Sequence, residues 1–317
     1  MITANIVYFG LGLVLLIKGA DYFVEAVTAL ARKLGVSEFI VGLTIVAIGT
    51  SVPELANAVI ASVKGEPEII VGDIVGSNIA NIALIIGVSS LFTSLKTDRR
   101  MLRRDGVIML LAMMLFYIIG ARAPIGAAEA TLFIIAYGLY IVYTVEFNPY
   151  QRLIVYLREF ARFAGMPHIG WKKDEGYGLG KILEFGFFKK QIHKDAFIMV
   201  MGGLAVVLGA NLFIDSAVFF AEYLNIGKRI VGISLVAIGT SLPELSVSVA
   251  AARKGRGDIV VGNIIGSNIA NTLLIVGVAS AIAPLNLGEL TINYTAPVMM
   301  FVSVVFLVFV RRGWEIK

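Results

Sequence analysis

Residues 40–55 read IVGLTIVAIGTSVPEL and residues 71–84 read VGDIVGSNIANIAL; residues 230–245 and 261–274 repeat them as IVGISLVAIGTSLPEL and VGNIIGSNIANTLL. The offset of 190 holds without a gap from 40–90 against 230–280, and 31 of those 51 positions are identical. It already holds upstream, where Gly19-Ala20-Asp21 meets Gly209-Ala210-Asn211. Unrelated apolar helices coincide at apolar positions, but here Thr, Ser, Pro, Glu and Asn coincide as well. The chain therefore contains two copies of one unit, a pattern common among transporter folds.

Around the repeats the composition is that of a membrane protein. Of 317 residues, 58% are hydrophobic and 15% charged, where soluble domains carry about 25% charged residues. Runs of about 18 or more apolar residues read as spans, and they fall at about 4–31, 37–63, 67–94, 105–121, 124–146, 195–223, 227–252, 257–283 and 293–310. The expected fold is all-α: a polytopic membrane protein with inverted-topology repeats, about 9–10 transmembrane helices and broken helices at its site. A soluble α/β enzyme does not fit this composition. With no cysteine, disulfides, thiolate metal sites and thiol nucleophiles are excluded. His168 and His193 both fall in one polar connection, so no span offers an imidazole. The N-terminus leads straight into a span without a basic n-region or small-residue cleavage site, so no removable signal is expected. The net charge of +5 follows from topology and calls for no nucleic-acid partner; the partner is the lipid bilayer. The glycines lie within spans and form no phosphate-binding loop, which argues against ATP drive.

Lys and Arg set the orientation. With the N-terminus outside, the cytoplasmic segments hold 22 of these residues and the outer ones only Lys64, Arg122, Lys228 and Arg229, with Lys18 inside a span. The second copy then begins five spans after the first, an odd number, so the repeats run antiparallel. Three segments result: an N-terminal half at 1–146 with repeat 1 at about 37–94, a cytoplasmic connection at 147–194, and a C-terminal half at 195–317 with repeat 2 at about 227–283. Within the connection, Leu153, Ile154, Leu157, Phe160 and Ala164 share one helical face opposite Arg152, Arg158, Glu159 and Arg162. That is the pattern of a short helix on an anionic surface. The part from 165 to 181 is rich in glycine and charge and reads as flexible.

A carboxylate well inside a span is costly and is a functional candidate by default. Glu54 and Glu244 are two such residues, each following Gly-Thr-Ser-X-Pro. Pro53 and Pro243 lack an N–H, which frees the carbonyls of Gly49 and Gly239; such broken backbone is tolerated in lipid where it lines a cavity. Thr50 and Glu54 stand four apart, as do Ser77 and Asn81, and Ser267 and Asn271, so each pair is expected to share a helix face. Gly72 and Gly76, and Gly262 and Gly266, form small-xxx-small pairs that allow close helix approach. The donors from both halves are two carboxylates, two amides, several hydroxyls and loosened carbonyls. All are hard oxygen ligands, suited to Ca2+ with its six to eight oxygens at about 2.3–2.6 Å. Zinc and copper favour His or Cys, and Mg2+ holds its waters more tightly.

GTSVPE…GSNIAN and GTSLPE…GSNIAN resemble the two α-repeats of the calcium/cation antiporter superfamily, in its sodium/calcium exchanger branch. The resemblance covers nearly all spans. It implies a secondary antiporter moving Ca2+ against Na+ or H+, with no cofactor, at a site formed by Thr50, Ser51, Glu54, Ser77, Asn81, Thr240, Ser241, Glu244, Ser267 and Asn271. The chain departs from that pattern in two ways. Asn271 stands where such exchangers often carry an aspartate, and the second half has four spans rather than five.

Two glutamates are neutralised by one Ca2+, two H+ or two Na+, whereas three Na+ would leave a positive buried site unless another carboxylate helped. This balance leans towards H+, with Na+ as the alternative. Asp73, opposite Asn263 in the repeat, breaks the symmetry; its place near the start of a span suggests a vestibule rather than ligation. Lys18, Asp21 and Glu25 have the spacing of an internally paired cluster on one helix. A cation channel is the competing class, and an intramembrane hydrolase lacks both a metal set and a nucleophile.

Overall fold

In the computed structural model, described over residues 2–34, 36–96, 99–146, 180–224, 239–313 and 315–316, almost every described residue is helical. Helix α1 spans Ile2–Leu34. Helix α2 spans Glu38–Thr50 and α3 Val52–Lys64, the two meeting at a bend of 43°. Helix α4 is Pro67–Ser90, α5 Arg99–Gly120, α6 Ala127–Glu146 and α7 Gly180–Tyr223. Helix α8 is Leu242–Arg253 and α9 Gly257–Ile282. Helix α10 runs from Gly288–Leu290 through a π turn at Thr291–Thr295 into Ala296–Gly313.

Six of these helices are long and apolar enough to cross a membrane, and α2 with α3 makes a seventh span if the bent pair is counted as one. The two other expected spans fall short of that measure for visible reasons. Helix α5 opens with Arg103, Arg104 and Asp105, leaving a shorter apolar run. The span expected at 227–252 has its first part outside the described residues, with α8 as the remainder. The amphipathic stretch at 152–164 also lies outside them. Helix α7 begins at Gly180, inside the expected connection, because no proline between Gly180 and Asp195 interrupts the helix.

The helix ends repeat as the sequence does. Ser37 caps α2, accepting from the Ile40 amide at 3.2 Å. Helix α3 ends at Gly65 with φ 73°, and its repeat mate Gly255, φ 69°, follows α8. Both occupy the left-handed region that glycine enters without a Cβ penalty. Pro53 and Pro243 sit in the first turns of α3 and α8, where a missing N–H costs least.

Burial ranks the helices. The window of α9 is 94% buried and that of α4 61%, whereas those of α1, α6, α7 and α10 lie between 17 and 28%. The two mates α4 and α9 thus form the centre, and the outer helices turn residues such as Ile6, Leu111, Leu139, Leu208 and Phe301 outward, as lipid requires. Helices α1 and α7 pack on one another through glycines. A Cβ at Gly12 would meet the Phe213 amide at 2.7 Å, and one at Gly202 the Phe23 amide at 2.9 Å. Helix α2 lies equally close on α9, where Gly262 and Gly266 act as their spacing predicts: a Cβ would fall 2.5 Å from the Phe39 carbonyl oxygen and 2.4 Å from that of Leu43. The stretch that the repeat places opposite Gly72 and Gly76 lies outside the described residues.

The connections sort into two ends. At one end Ile125 bridges Leu285, and the Ser62 hydroxyl donates to the Ala279 carbonyl at 3.3 Å. At the other, β1 (Leu95–Lys96) pairs antiparallel with β2 (Glu315–Ile316). Arg256 pairs with Glu38 at 2.8 Å and Lys33 with Asp195 at that same end. Asp21 and Glu25 do not form a cluster within α1: Lys254 pairs with Glu25 at 2.7 Å, lies 3.8 Å from Asp21 and donates to the Asp21 carbonyl at 2.8 Å. Lys18 is exposed.

Candidate functional site

Both repeats break at the same point. Ser51 has φ −86°, ψ 9° and Ser241 φ −86°, ψ 3°, each lying between the helical motif threonine and a helix that carries the proline in its first turn. The α-helical ladder resumes with Leu55 N–H to Ser51 O and Leu245 N–H to Ser241 O. The Thr50 hydroxyl therefore does not continue along a helix face to Glu54, as the spacing alone suggests. It donates to the Ala47 carbonyl at 3.3 Å and to Asn263 Oδ1 at 3.2 Å, across to the other repeat.

The hydrogen bonds obey the offset of 190 in both directions. Thr50 donates to Asn263, and its mate Thr240 donates to Asp73 Oδ1 at 2.9 Å. Asn81 Nδ2 donates to Asn268 Oδ1 at 3.0 Å, and its mate Asn271 donates to Asn78 Oδ1 at 3.3 Å. A bond from i to j with a mate from i+190 to j−190 is what a twofold axis in the membrane plane produces, so the repeats face each other as inverted copies.

The two glutamates meet at this interface. Glu54 is 2% exposed and Glu244 fully buried, and Ser51, three residues before Glu54, reaches across the interface to Glu244. They are not equivalent. Ser51 Oγ donates to Glu244 Oε1 at 3.0 Å, whereas the hydroxyl of its mate Ser241 and both carboxyl oxygens of Glu54 are without partners. Ser77 Oγ lies 3.4 Å from Thr240 Oγ1, while its mate Ser267 is unpartnered. Among the described residues, the buried unpartnered side-chain atoms include Glu54 Oε1 and Oε2, Glu244 Oε2, Asn81 Oδ1, Asn271 Oδ1, Ser241 Oγ and Ser267 Oγ. Buried polar atoms are normally paired, and leaving one bare costs about 1–3 kcal/mol. A concentration of such oxygens is a place where something other than protein supplies the partner. No nitrogen or sulfur ligand is among them, and no three of His, Cys, Asp and Glu converge as a metal cluster among the described residues. The donor set is two carboxylates supplemented by amide and hydroxyl oxygens, which suits a hard cation.

The spacing of the motifs did not reveal what aims the amides. Asn78 and Asn268 accept the NH2 groups of Asn271 and Asn81, so the carbonyl ends, the only ones able to ligate a cation, are left without a bond. Asn78 donates in turn to Thr272 Oγ1 at 3.0 Å. Their identity in both repeats was the available signal. A second feature has no sequence signature: Asn81 opens a π turn at Asn81–Ile85, and Asn271 lies in another at Ala270–Ile275. Such bulges turn side chains off the regular helical face and gather at functional sites. Asp73 differs from its expected place as well. It is 8% exposed and bonded to Thr240 and Asn57, hence inside the protein and beside the site.

The chain matches the family model described as sodium/calcium exchanger protein over residues 4–145 and 194–313. It is 42% identical to the sodium/calcium exchanger MaX1 of Methanosarcina acetivorans, over 100% of this chain and 94% of that protein. It is 30% identical to the inner membrane protein YrbG of Escherichia coli, over 93% of this chain and 85% of that one. Among solved structures it resembles the sodium-calcium exchanger NCX_Mj soaked with 2.5 mM Na+ and 10 mM Sr2+, with a TM-score of 0.80 and 30% identity over 100% of this chain and 94% of that one.

Proposed function

This chain belongs to the sodium/calcium exchanger protein family, and from that premise we propose that it exchanges Ca2+ for Na+ across the cell membrane at a site between Glu54 and Glu244. As a member of the calcium/cation antiporter superfamily it is an integral membrane transporter rather than an enzyme, and its ions are cargo rather than a resident cofactor. The observation that carries the site is the pair of span-buried glutamates: both oxygens of Glu54, Glu244 Oε2, the amide oxygens of Asn81 and Asn271 and the hydroxyls of Ser241 and Ser267 have no protein partner. Thr50, Ser51, Ser77 and Thr240 complete the oxygen shell or hold it in place.

Ca2+ compensates the two carboxylates and replaces the missing hydrogen bonds at once. The site without an ion keeps two adjacent buried charges, an arrangement that favours reloading before any change of access. Exchange follows from that preference: one face closes only over a charge-compensated site. Inverted repeats supply two related arrangements of the same parts, one open to each side. The moving parts we infer are α1 and α7, joined to each other by their glycine contacts and bearing few polar groups towards the site. The Lys and Arg distribution supports an outside N-terminus and a cytoplasmic C-terminus.

For the counter-ion, the balance of two glutamates alone leans towards H+. The choice of Na+ is supported by the name of the 42% identical relative, by the ions used with the similar solved exchanger, and by a third carboxylate, Asp73, beside the site. The test is Ca2+ uptake into vesicles under an imposed Na+ gradient or an imposed pH gradient. Uptake should follow the Na+ gradient and disappear in Glu54→Gln and in Glu244→Gln. Gradient-driven uptake retained in both variants would remove the site, and uptake driven only by the pH gradient would reassign the counter-ion. Ca2+ flux without any counter-ion gradient would instead indicate a channel.

A further inference from the structure

The twofold relation makes the two approaches to the site copies of one another except where mated residues differ. One such difference carries charge. Thr50 donates to the amide oxygen of Asn263 at 3.2 Å, whereas its mate Thr240 donates to the carboxylate of Asp73 at 2.9 Å. An amide therefore meets the structural need of the motif threonine on one side, and the negative charge on the other is surplus to packing. A carboxylate in a span carries a cost that an amide does not. Asp73 also has a support that the repeat does not copy: Asn57 Nδ2 donates to its second oxygen at 2.9 Å, and the mate of Asn57 is Val247. On the mirrored side Asn263 instead donates to Ser248 at 3.2 Å. The Asp73 carboxylate thus accepts from Thr240 and Asn57 and keeps further lone-pair capacity.

The position of Asp73 along α4 sets it towards one side of the repeat interface. It lies on α4 six residues beyond Pro67, on the side where α3 joins α4. Its partner Thr240 precedes Ser241 and Glu244, and its partner Asn57 is one turn from the unpartnered Glu54. Among the described residues the three acids do not converge as one metal cluster.

We propose that Asp73 is a cation-recruiting carboxylate on one of the two access paths, passing the ion by way of Thr240 to Glu54 and Glu244 and making the transporter bind its cations more readily from the α3–α4 side than from the opposite side. That side is the outside in the orientation above. The proposal rests on the exchange reading of the site, and its consequence is directional: a charge on one path alters capture from that path alone.

The experiment measures the half-saturating Ca2+ concentration for gradient-driven uptake in right-side-out and in everted vesicles. Asp73→Asn should raise the half-saturating concentration at the α3–α4 face by roughly fivefold, the screened attraction of one charge for a divalent ion, and leave the other face unchanged. Asn263→Asp should do the converse, lowering the value at the opposite face only. A change of equal size at both faces, or at neither, overturns the proposal. If Asp73→Asn does not accumulate in the membrane, the Asn263→Asp arm alone decides, since damage to packing would raise the value and not lower it at one face. Glu54→Gln runs alongside: uptake that survives it refutes the exchange site itself, whereas its loss combined with side-independent Asp73→Asn kinetics refutes only the role of Asp73.

Discussion

Replacing Gly266 by alanine tests whether the close approach of α2 and α9 sets the site geometry. The new Cβ would lie 2.4 Å from the Leu43 carbonyl oxygen and 2.7 Å from the Ala47 Cβ, where ordinary contact begins at 3.4 Å. Backbone on α2 cannot rotate aside as a side chain can, so the two helices must part by about 1 Å. Overpacking against backbone falls near the upper end of the usual penalty, about 3 kcal/mol. Alanine's better helix propensity returns about 1 kcal/mol, leaving a net loss of about 2 kcal/mol. For a chain of this size each kcal/mol corresponds to roughly 2–4 °C, so thermal unfolding should begin roughly 4–8 °C lower. The same separation stretches the 3.2 Å bond from Thr50 to Asn263, which spans this interface, so Ca2+ uptake should fall alongside stability. The assay is a melting curve of the purified protein in detergent, with Gly138→Ala as control, since a Cβ there meets nothing within 4 Å. A Gly266→Ala protein that melts with or above the unsubstituted chain, or a control that loses as much, would refute the reasoning.

Asn78→Ala or Asn268→Ala frees the amide of Asn271 or Asn81 to rotate, and loss of one such hydrogen bond should weaken apparent Ca2+ affinity roughly 3- to 10-fold with expression retained; an unchanged half-saturating concentration argues against the aiming role. Lys254→Gln removes the tie from the α8–α9 corner to Asp21 and Glu25 on α1. Because these side chains are partly exposed, the tie contributes at most about 1 kcal/mol, and the balance between access states should shift by no more than about fivefold. The chain has no cysteine, so a single one at Ala252, 1% exposed beside the tie, reports the shift as faster maleimide labelling in Lys254→Gln; an unaltered rate counts against a latch.

Much of this molecule is legible in one dimension because a membrane constrains it so tightly. Lipid offers no hydrogen bonds, so every span must be an apolar helix, and any polar residue that recurs inside one stands out. Glu54, Glu244, Thr50, Ser51, Thr240, Ser241, Ser77, Ser267, Asn81 and Asn271 stand out in that way, and the structure buries all but Thr240 below one-tenth exposure. Spacing was a poorer guide to direction. The i, i+4 rule assumes an unbroken helix, and the break at Ser51 sends Thr50 across to Asn263. The paired-charge reading of Asp21 and Glu25 failed for a related reason: a lysine from another helix, Lys254, reached them instead.

What the sequence by itself determined is the all-helical membrane fold, the duplication with its antiparallel sense, and a candidate site in which only oxygen donors are on offer. Each of these depends on composition, parity or residue identity, which survive without coordinates. Only the tertiary structure decided which oxygens are engaged and which are bare, because that depends on contacts between residues about 190 apart in the chain. It made Glu244 a bonded carboxylate and Glu54 an open one, it aimed the amides of Asn81 and Asn271 through Asn268 and Asn78, and it brought Asp73 inside, against Thr240. The repeat predicts a symmetric site, and packing makes the two sides unequal.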